Sequence, residues 1–361
     1  MRGLASLDRP FTPIVLFSVG ILGFACATEE PAADPGAVVH EPEPGERFFS
    51  QIRQLTFDGQ NAEAYFSSDG SQLIFQRTGP REACDQQYII SVDGTGLRRV
   101  SSGTGRTTCG YFYAGDERIL YSSTVHVSDA CPPQPDMSRG YVWPVPDFDV
   151  YTARADGSDL QRLTTESSYD AEATLSPDGQ TIVFTSTRDG DLDIYTMNVD
   201  GSGVRRLTTT AGYDGGPFFS PDGAKIVYRS WHPTDEAELA DYQALLAEGL
   251  VRPARMEIWV MNADGSDQRP VTQLGGANFA PFFHPDGERI IFSTNHVDGS
   301  RNFDLYMINL DGSNLTQVTT SSDFDGFPMF SPDGTKLVFA ANRHGVMEGD
   351  TNVFIADWVE P

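Results

Sequence analysis

The chain has 361 residues, with 51 acidic against 25 basic side chains and a formal net charge of -26 at pH 7. That balance excludes DNA, RNA and anionic lipid surfaces as partners, because binding to polyanions is driven by lysine and arginine displacing counterions; cationic partners and metal ions suit it better. An aromatic content of 11% excludes a disordered chain, and 35 glycines with 23 prolines predict tight turns between short strands.

Taken from the N-terminus, Arg2 and Arg9 precede an apolar run from Ile14 to Phe24. The run is shorter than the ~20 residues that cross a bilayer but suits the core of a secretory signal, so residues 1–25 are expected to be a signal peptide. Leu22-Gly23-Phe24-Ala25-Cys26 resembles a bacterial lipoprotein signal, and the resemblance implies cleavage before Cys26 and lipidation of that residue. A plain secretory signal with Cys26 as a spare thiol is the alternative. Residues 26–46 are rich in Pro, Glu and Ala with almost no large apolar groups, so they are expected to be a flexible acidic linker. The expectation is an exported, lipid-anchored protein of the cell envelope, in the periplasm or at the outer membrane, touching the membrane only through its N-terminal lipid.

From residue 47 onward the chain repeats. A turn signature occurs six times: FSSDG at Phe66, YAGDE at Tyr113, LSPDG at Leu175, FSPDG at Phe219, FHPDG at Phe283 and FSPDG at Phe330. The spacings of the turn aspartates, 47, 62, 44, 64 and 47, give a unit of about 45 residues with two insertions. Each signature is followed by a β-branched or aromatic run (QLIF, RILY, TIVF, KIVY, RIIF, KLVF), and in most units a further run then ends in Asp-Gly, which predicts a hairpin. A last short strand closes the unit, as in LQRLT and VRRLT; QRPVT fits because Pro270 is acceptable on an edge strand. Four strands per unit repeated radially predict an all-β fold, a six-bladed β-propeller of four-stranded blades over residues 47–361. The sixth unit ends after its third strand, Val353 to Trp358, while Ile52 to Thr56 (IRQLT) has the outer-strand pattern without a unit of its own; the N-terminal strand is therefore expected to complete the last blade.

The phrases YDGGPFFSPDGAKIVY, DLDIYTMNVDGSGVRRLT and FDGFPMFSPDGTKLVF resemble the repeats of TolB-like, WD40-like bacterial propellers over residues 50 to 361. The resemblance implies the fold and leaves the function open among partner-binding proteins, substrate-gating domains of prolyl-oligopeptidase-type enzymes and metal-using lyases such as oligogalacturonate lyase.

The long insertions, residues 78–87, 122–148 and 231–255, all fall on the face opposite the regular turns, and loops on a rigid scaffold commonly carry function. Within the third, a helical insertion over 233–251 is expected, with Thr234 as cap and Gly249 at its end. Alignment on the turn aspartates places Asn61, Thr108, Asp170, Asp214, Asn278 and Asp325 at the channel mouth, with Glu63, Gly110, Glu172, Gly216, Ala280 and Phe327 two positions further in. Strand alternation would then converge the carboxylates of Glu63, Asp170, Glu172, Asp214 and Asp325 on a site for Ca²⁺ or another divalent cation. Asp and Asn side chains closing local turns are the alternative. His126, His232, His296 and His344 follow the second strand in four blades and could ligate a metal, or stand as solvated loop histidines. Asp189, Asp191 and Asp193 mimic a calcium-loop start, but Ile194 and Asp200 break the pattern; Asp193 reads instead as one of a structural column with Asp149, Glu257, Asp304 and Asn352. Cys84, Cys109 and Cys131 fall in loops of the insertion face, and export favours a disulfide among them, most readily between Cys109 and one neighbour.

No catalytic residue emerges: G-x-S-x-G is missing, and GTGRTT from Gly103 lacks the Lys-Ser/Thr ending of a phosphate loop. The reading is a monomeric envelope lipoprotein that binds or scaffolds a protein, peptide or glycan on the insertion face. The alternative is a metal-dependent carbohydrate lyase or hydrolase using the channel acids and loop histidines; lyases of the resembling type have seven blades, which weighs against it.

Overall fold

The computed structural model describes residues 36–297, 302–347 and 349–361; the signal segment, Cys26 and the start of the linker lie outside them. No helix among the described residues is long and apolar enough to cross a membrane.

Six antiparallel blades of four strands each make up the fold, each counted from its inner strand outward. Blade 1 runs Gln60–Phe66, Gln72–Thr78, Gln86–Ser91 and Arg98–Arg99, and blade 2 runs Thr107–Tyr113, Arg118–Ser123, Asp149–Arg154 and Gln161–Arg162. Blade 3 comprises Asp170–Leu175, Thr181–Ser186, Asp193–Asn198 and Arg205–Arg206; blade 4 comprises Tyr213–Phe219, Lys225–Trp231, Glu257–Asn262 and Arg269–Pro270. Blade 5 is Asn278–Phe283, Arg289–Thr294, Asp304–Asn309 and Thr316–Gln317. Blade 6 contributes Asp325–Phe330, Lys336–Ala341 and Asn352–Trp358, and its outer strand is Phe49–Gln54 from the other end of the chain, with Ile52 opposite Ala356 and Gln54 opposite Phe354.

The closure goes further than the sequence reading placed it. Val38–His40 pairs with Phe49–Gln54 as a fifth strand, Val38 opposite Gln54, and Glu46 is buried beside Arg343. The linker expectation is therefore corrected for residues 38–46: backbone pairing and one buried ion pair order a stretch whose side chains alone could not.

Two local devices repeat around the ring. In the Asp-Gly turns of blades 2 to 5 the glycine has positive φ and lies against the end of the preceding outer strand; a Cβ on Gly157 would sit 2.7 Å from the Val100 carbonyl, and one on Gly201 2.7 Å from that of Leu163, while Gly94 of blade 1 lies against Gly36 and Ala37 instead. Only glycine permits that approach. The first residue of the third strand accepts a hydrogen bond from the hydroxyl at the end of its outer strand: Thr164 to Asp149 (3.0 Å), Thr208 to Asp193 (3.1 Å), Thr272 to Glu257 (2.6 Å) and Thr56 to Asn352 (3.0 Å). This is the column expected from Asp193, and in blade 6 the N-terminal segment supplies its threonine.

Burial of β-branched and aromatic side chains between neighbouring sheets accounts for the core: Phe75, Ile119, Val183, Tyr228, Phe292 and Phe339, one per second strand, are at most 2% exposed.

Candidate functional site: the central channel and the insertion face

The inner strand of every blade carries a register shift, and the residue at its centre has positive φ: Glu63 (54°), Cys109 (52°), Glu172 (59°), Gly216 (61°), Ala280 (49°) and Phe327 (56°). A bulge adds one residue and turns its side chain out of the alternating pattern. All six line the central cavity. By where the centre of a water molecule can sit, that cavity measures ≈ 20 Å³, room for about one water. A sugar or peptide cannot enter it.

Alternation fails across the bulge, so the two predicted rings separate. Glu63 and Glu172 line the channel, whereas Asp170, Asp214 and Asp325 do not join them. They are at most 1% exposed and each is paired near its own second strand. Asp170 accepts from Ser186 (2.5 Å) and from Arg188 (2.9 Å), Asp214 meets His232 at 3.2 Å, and Asp325 holds Arg343 through Nε (2.8 Å) and Nη2 (2.5 Å). Asn61 and Asn278 are likewise buried; their amides donate to the carbonyls of Thr351 and Met256, both at 2.8 Å. The expected convergence of five carboxylates is thus corrected to two, and the remaining acids act as structural partners between and within blades.

Blade 2 departs from the alignment by one residue. Asp116 has φ 67°, the conformation that Gly70 adopts at φ 70° in blade 1, so YAGDE places Gly115 where the other turns have aspartate. The true equivalents are Thr107 and Cys109, in place of Thr108 and Gly110. Asp116 is used differently: its carboxylate accepts from Ser68 N (2.7 Å) and Ser68 Oγ (2.5 Å) of the neighbouring turn.

Charges inside the channel are partly compensated. Arg229, from the second strand of blade 4, forms an ion pair with Glu172 and donates to the Tyr213 hydroxyl from Nε (3.0 Å) and Nη2 (2.6 Å). A Cβ on Gly216 would lie 2.2 Å from Arg229 Nη1, so a larger residue here would push the guanidinium from its place. Glu172 Oε2 also accepts from Thr185 Oγ1 and Gly216 N, both at 2.7 Å. Among the described residues, no cation forms an ion pair with Glu63. Its one side-chain donor among those residues is the Cys109 thiol at 2.9 Å, and burial pushes its carboxyl up to about 7. Burial, followed by the Glu63 charge, pushes the Cys109 thiol well above its usual range, so that thiol is a neutral donor rather than a nucleophile. Sequence reasoning missed Arg229 and Trp143 and gave Cys109 a disulfide role in place of its channel position; an arginine inside the apolar run KIVYRSW was the available signal, since a buried cation demands a carboxylate.

At the insertion face the three long loops are tied together. The disulfide joins Cys84 of the blade 1 loop to Cys131 of the blade 2 loop, leaving Cys109 as the free cysteine among the described residues. The expected pairing through Cys109 is corrected, because the bulge turns Cys109 into the channel. Trp143–Pro144 of the blade 2 insertion pairs with Leu250–Val251 of the blade 4 insertion, and the Trp143 ring lies 5.3 Å from the Arg229 guanidinium. The insertion helix spans Glu236–Ala247 and is capped by Asp235, whose carboxylate accepts from Ala237 N and Glu238 N at 2.9 Å. The predicted cap, Thr234, instead donates to Glu238. Tyr242 anchors the helix, donating to Asp191 (2.6 Å) and to the Gly212 carbonyl (2.7 Å).

The histidines do not gather. His126 faces Asp147 and Asp149, His232 faces Asp214, His296 approaches Thr294, and His344 stacks on His40 with ring centroids 3.9 Å apart. No common ion can bridge four separate blades. Burial lowers His296 and His344 below the usual imidazole range; for His232 burial is again the largest influence and acts downward, but the Asp214 hydrogen bond and the charges of Asp214, Asp191 and Asp193 together raise the group.

Two family models match the chain: the Tricorn protease N-terminal β-propeller domain over residues 131–256 and the TolB β-propeller domain over residues 251–354. No curated protein matches. Among solved structures, a candidate TolB from Agrobacterium tumefaciens is 19% identical with a TM-score of 0.55, over 84% of this chain and 91% of that one. An oligogalacturonate lyase in complex with manganese is 16% identical (TM-score 0.52; 90% of this chain, 96% of that one). A gluconolactonase from Xanthomonas campestris is 14% identical (TM-score 0.58; 91% and 96%). At such identities the likeness concerns fold alone, which hosts binding proteins and enzymes alike. The repeated turns, the six closed blades and the two domain matches together make this chain a TolB-like β-propeller protein.

Proposed function

We propose that the protein is a binding or scaffolding module of the cell envelope that engages a protein, peptide or glycan partner through its insertion face, held to the membrane by lipid on Cys26. The observation that carries this reading is the distribution of exposed apolar side chains. Val297, Val346 and Met347, at 73, 76 and 70% exposed, together with Val127, Met137 and Tyr141, all belong to insertion-face loops. Several large apolar groups exposed on one face mark an interaction surface more often than chance exposure does. A groove of ≈ 580 Å³ between the loops of blades 5 and 6, lined in part by Phe324, Asn342, Val346 and Met347, adds a concave element to it. The narrow channel and the separate pairing of Asp170, Asp214 and Asp325 favour binding over the lyase or hydrolase alternative, which needs acids and histidines at one place.

The test is affinity capture from envelope extract with the wild-type chain, with a Val297→Asp/Val346→Asp/Met347→Asp variant, and with Glu63→Gln. The same partner recovered by wild type and by Glu63→Gln but lost with the triple variant supports the reading. Undiminished recovery with the triple variant, or loss with Glu63→Gln alone, overturns it.

A further inference from the structure

Among the described residues, His126, Asp147 and Asp149 form a group whose potential ligand atoms all lie within 4.8 Å of one another. His126 Nε2 is 3.2 Å from Asp147 Oδ1 and 3.0 Å from Asp149 Oδ2. Ligand atoms bound to one tetrahedral ion at the usual zinc distances sit about 3.3–3.6 Å apart, so each imidazole–carboxylate distance is within a few tenths of an ångström of that spacing, and the two carboxylate oxygens lie within 4.8 Å of each other. The carboxylates are held as ligands would be. Asp149 Oδ1 accepts from Thr164 and Asp147 Oδ2 from Ser167, both at 3.0 Å, which leaves the opposite oxygen of each turned to the imidazole. Outer hydrogen bonds of this kind orient metal ligands.

The innermost oxygen is the informative one. Asp149 is 0% exposed, and its Oδ2 accepts no well-directed hydrogen bond; it faces His126 and ion-pairs with Arg162. In blade 3 the corresponding Asp193 meets Thr208 and Arg206. Blade 2 keeps that arrangement and adds an imidazole and a second carboxylate, from the two ends of its long insertion. We propose that these three side chains bind one divalent transition-metal ion of the Zn²⁺ or Mn²⁺ class, which clamps the ends of the insertion. One imidazole with two carboxylates suits such an ion. Arg162, one-third exposed on the outer strand, gives up its place by moving into solvent, and the one-third exposed side of Asp147 leaves room for a completing water.

The test uses the full chain, stripped with chelator and dialysed against Zn²⁺ or Mn²⁺, with bound metal counted by elemental analysis and affinity measured by calorimetry. One equivalent is expected, weakened at least tenfold by Asp147→Asn and by His126→Ala and unaffected by His296→Ala. Co²⁺ at the same site should give visible d–d absorption that Asp147→Asn removes; circular dichroism establishes that this conservative variant is folded. No stoichiometric binding, or binding unchanged in both ligand variants, overturns the proposal and leaves an ion-pair network only.

Discussion

On the face bearing the serine-proline-aspartate-glycine and Asp-Gly turns, each loop closes on itself. Ser220 donates to Asp222 at 2.6 Å and Asp222 accepts from Ala224 N at 3.0 Å, and the same pattern recurs at Asp178 and Asp333. On the opposite face the long loops close on one another: Cys84 on Cys131, Trp143 on Val251, Tyr242 on Asp191. Short-range hydrogen bonds make the first face regular and nearly identical from blade to blade. The second depends on partners distant in sequence, so its loops are free to differ, and it carries the most exposed of the large apolar groups among the described residues, Val346, Val297, Met347, Tyr141 and Val127.

The strongest challenge to this contrast is at the ring closure, where a long-range contact is also buried. Arg343 lies between Asp325 and Glu46, all three nearly inaccessible. Burial raises Asp325 to about 7 even beside Arg343, while the same contacts hold Arg343 above its usual range. The two shifts pull opposite ways on whether the pair is charged; two carboxylates converging on one guanidinium favour the ionised form. Arg343→Ala should cost about 3–5 kcal/mol, because it strands both carboxylates, as read in urea unfolding; a cost under about 1 kcal/mol would show that the contact of Arg343 with Glu46 and Asp325 is dispensable. Next in size, Cys84→Ser/Cys131→Ser opens a 47-residue covalent loop and should cost about 2–4 kcal/mol. An unchanged midpoint would mean that the insertion contacts suffice without it.

Glu63→Gln should stabilise. Because burial raises the folded Glu63 carboxyl to about 7 from an ordinary 4.5, its contribution is fully present below pH 4.5 and is lost as pH climbs toward 7. Wild type and variant should therefore melt together at pH 4, and the variant should gain about 1–2 kcal/mol at pH 8 after allowance for the surface it keeps in the channel. A variant less stable at pH 8 would break this account. The smallest effects should separate the two faces directly. Asp222→Ala, which removes turn hydrogen bonds, should cost about 0.5–1.5 kcal/mol, whereas Val346→Asp should stay within about 0.5 kcal/mol, measured side by side in thermal melts.

Local chemistry was legible in the chain wherever it repeats. The six turn signatures, the Asp-Gly hairpins and the threonine (serine in blade 1) ending each outer strand are interactions between residues a few positions apart or in a constant register, so the pattern carries them. Ile52 to Thr56 could be assigned to the last blade for the same reason, as a missing copy. Blade 2 shows the limit: YAGDE has an aspartate one position late, and an alignment on that letter put Thr108 and Gly110 where the fold puts Thr107 and Cys109.

The sequence by itself thus determined the number of blades, their order and the way the ring closes, because those follow from periodic burial and near-neighbour hydrogen bonds. Only the tertiary structure decided which carboxylates meet, that Cys109 faces Glu63 while Cys84 finds Cys131, and that residues from Val38 to Glu46 belong to the last blade. A bulge of one residue reverses where a side chain points, and a desolvated charge takes whichever partner the packing brings within reach. Neither has a period in the chain.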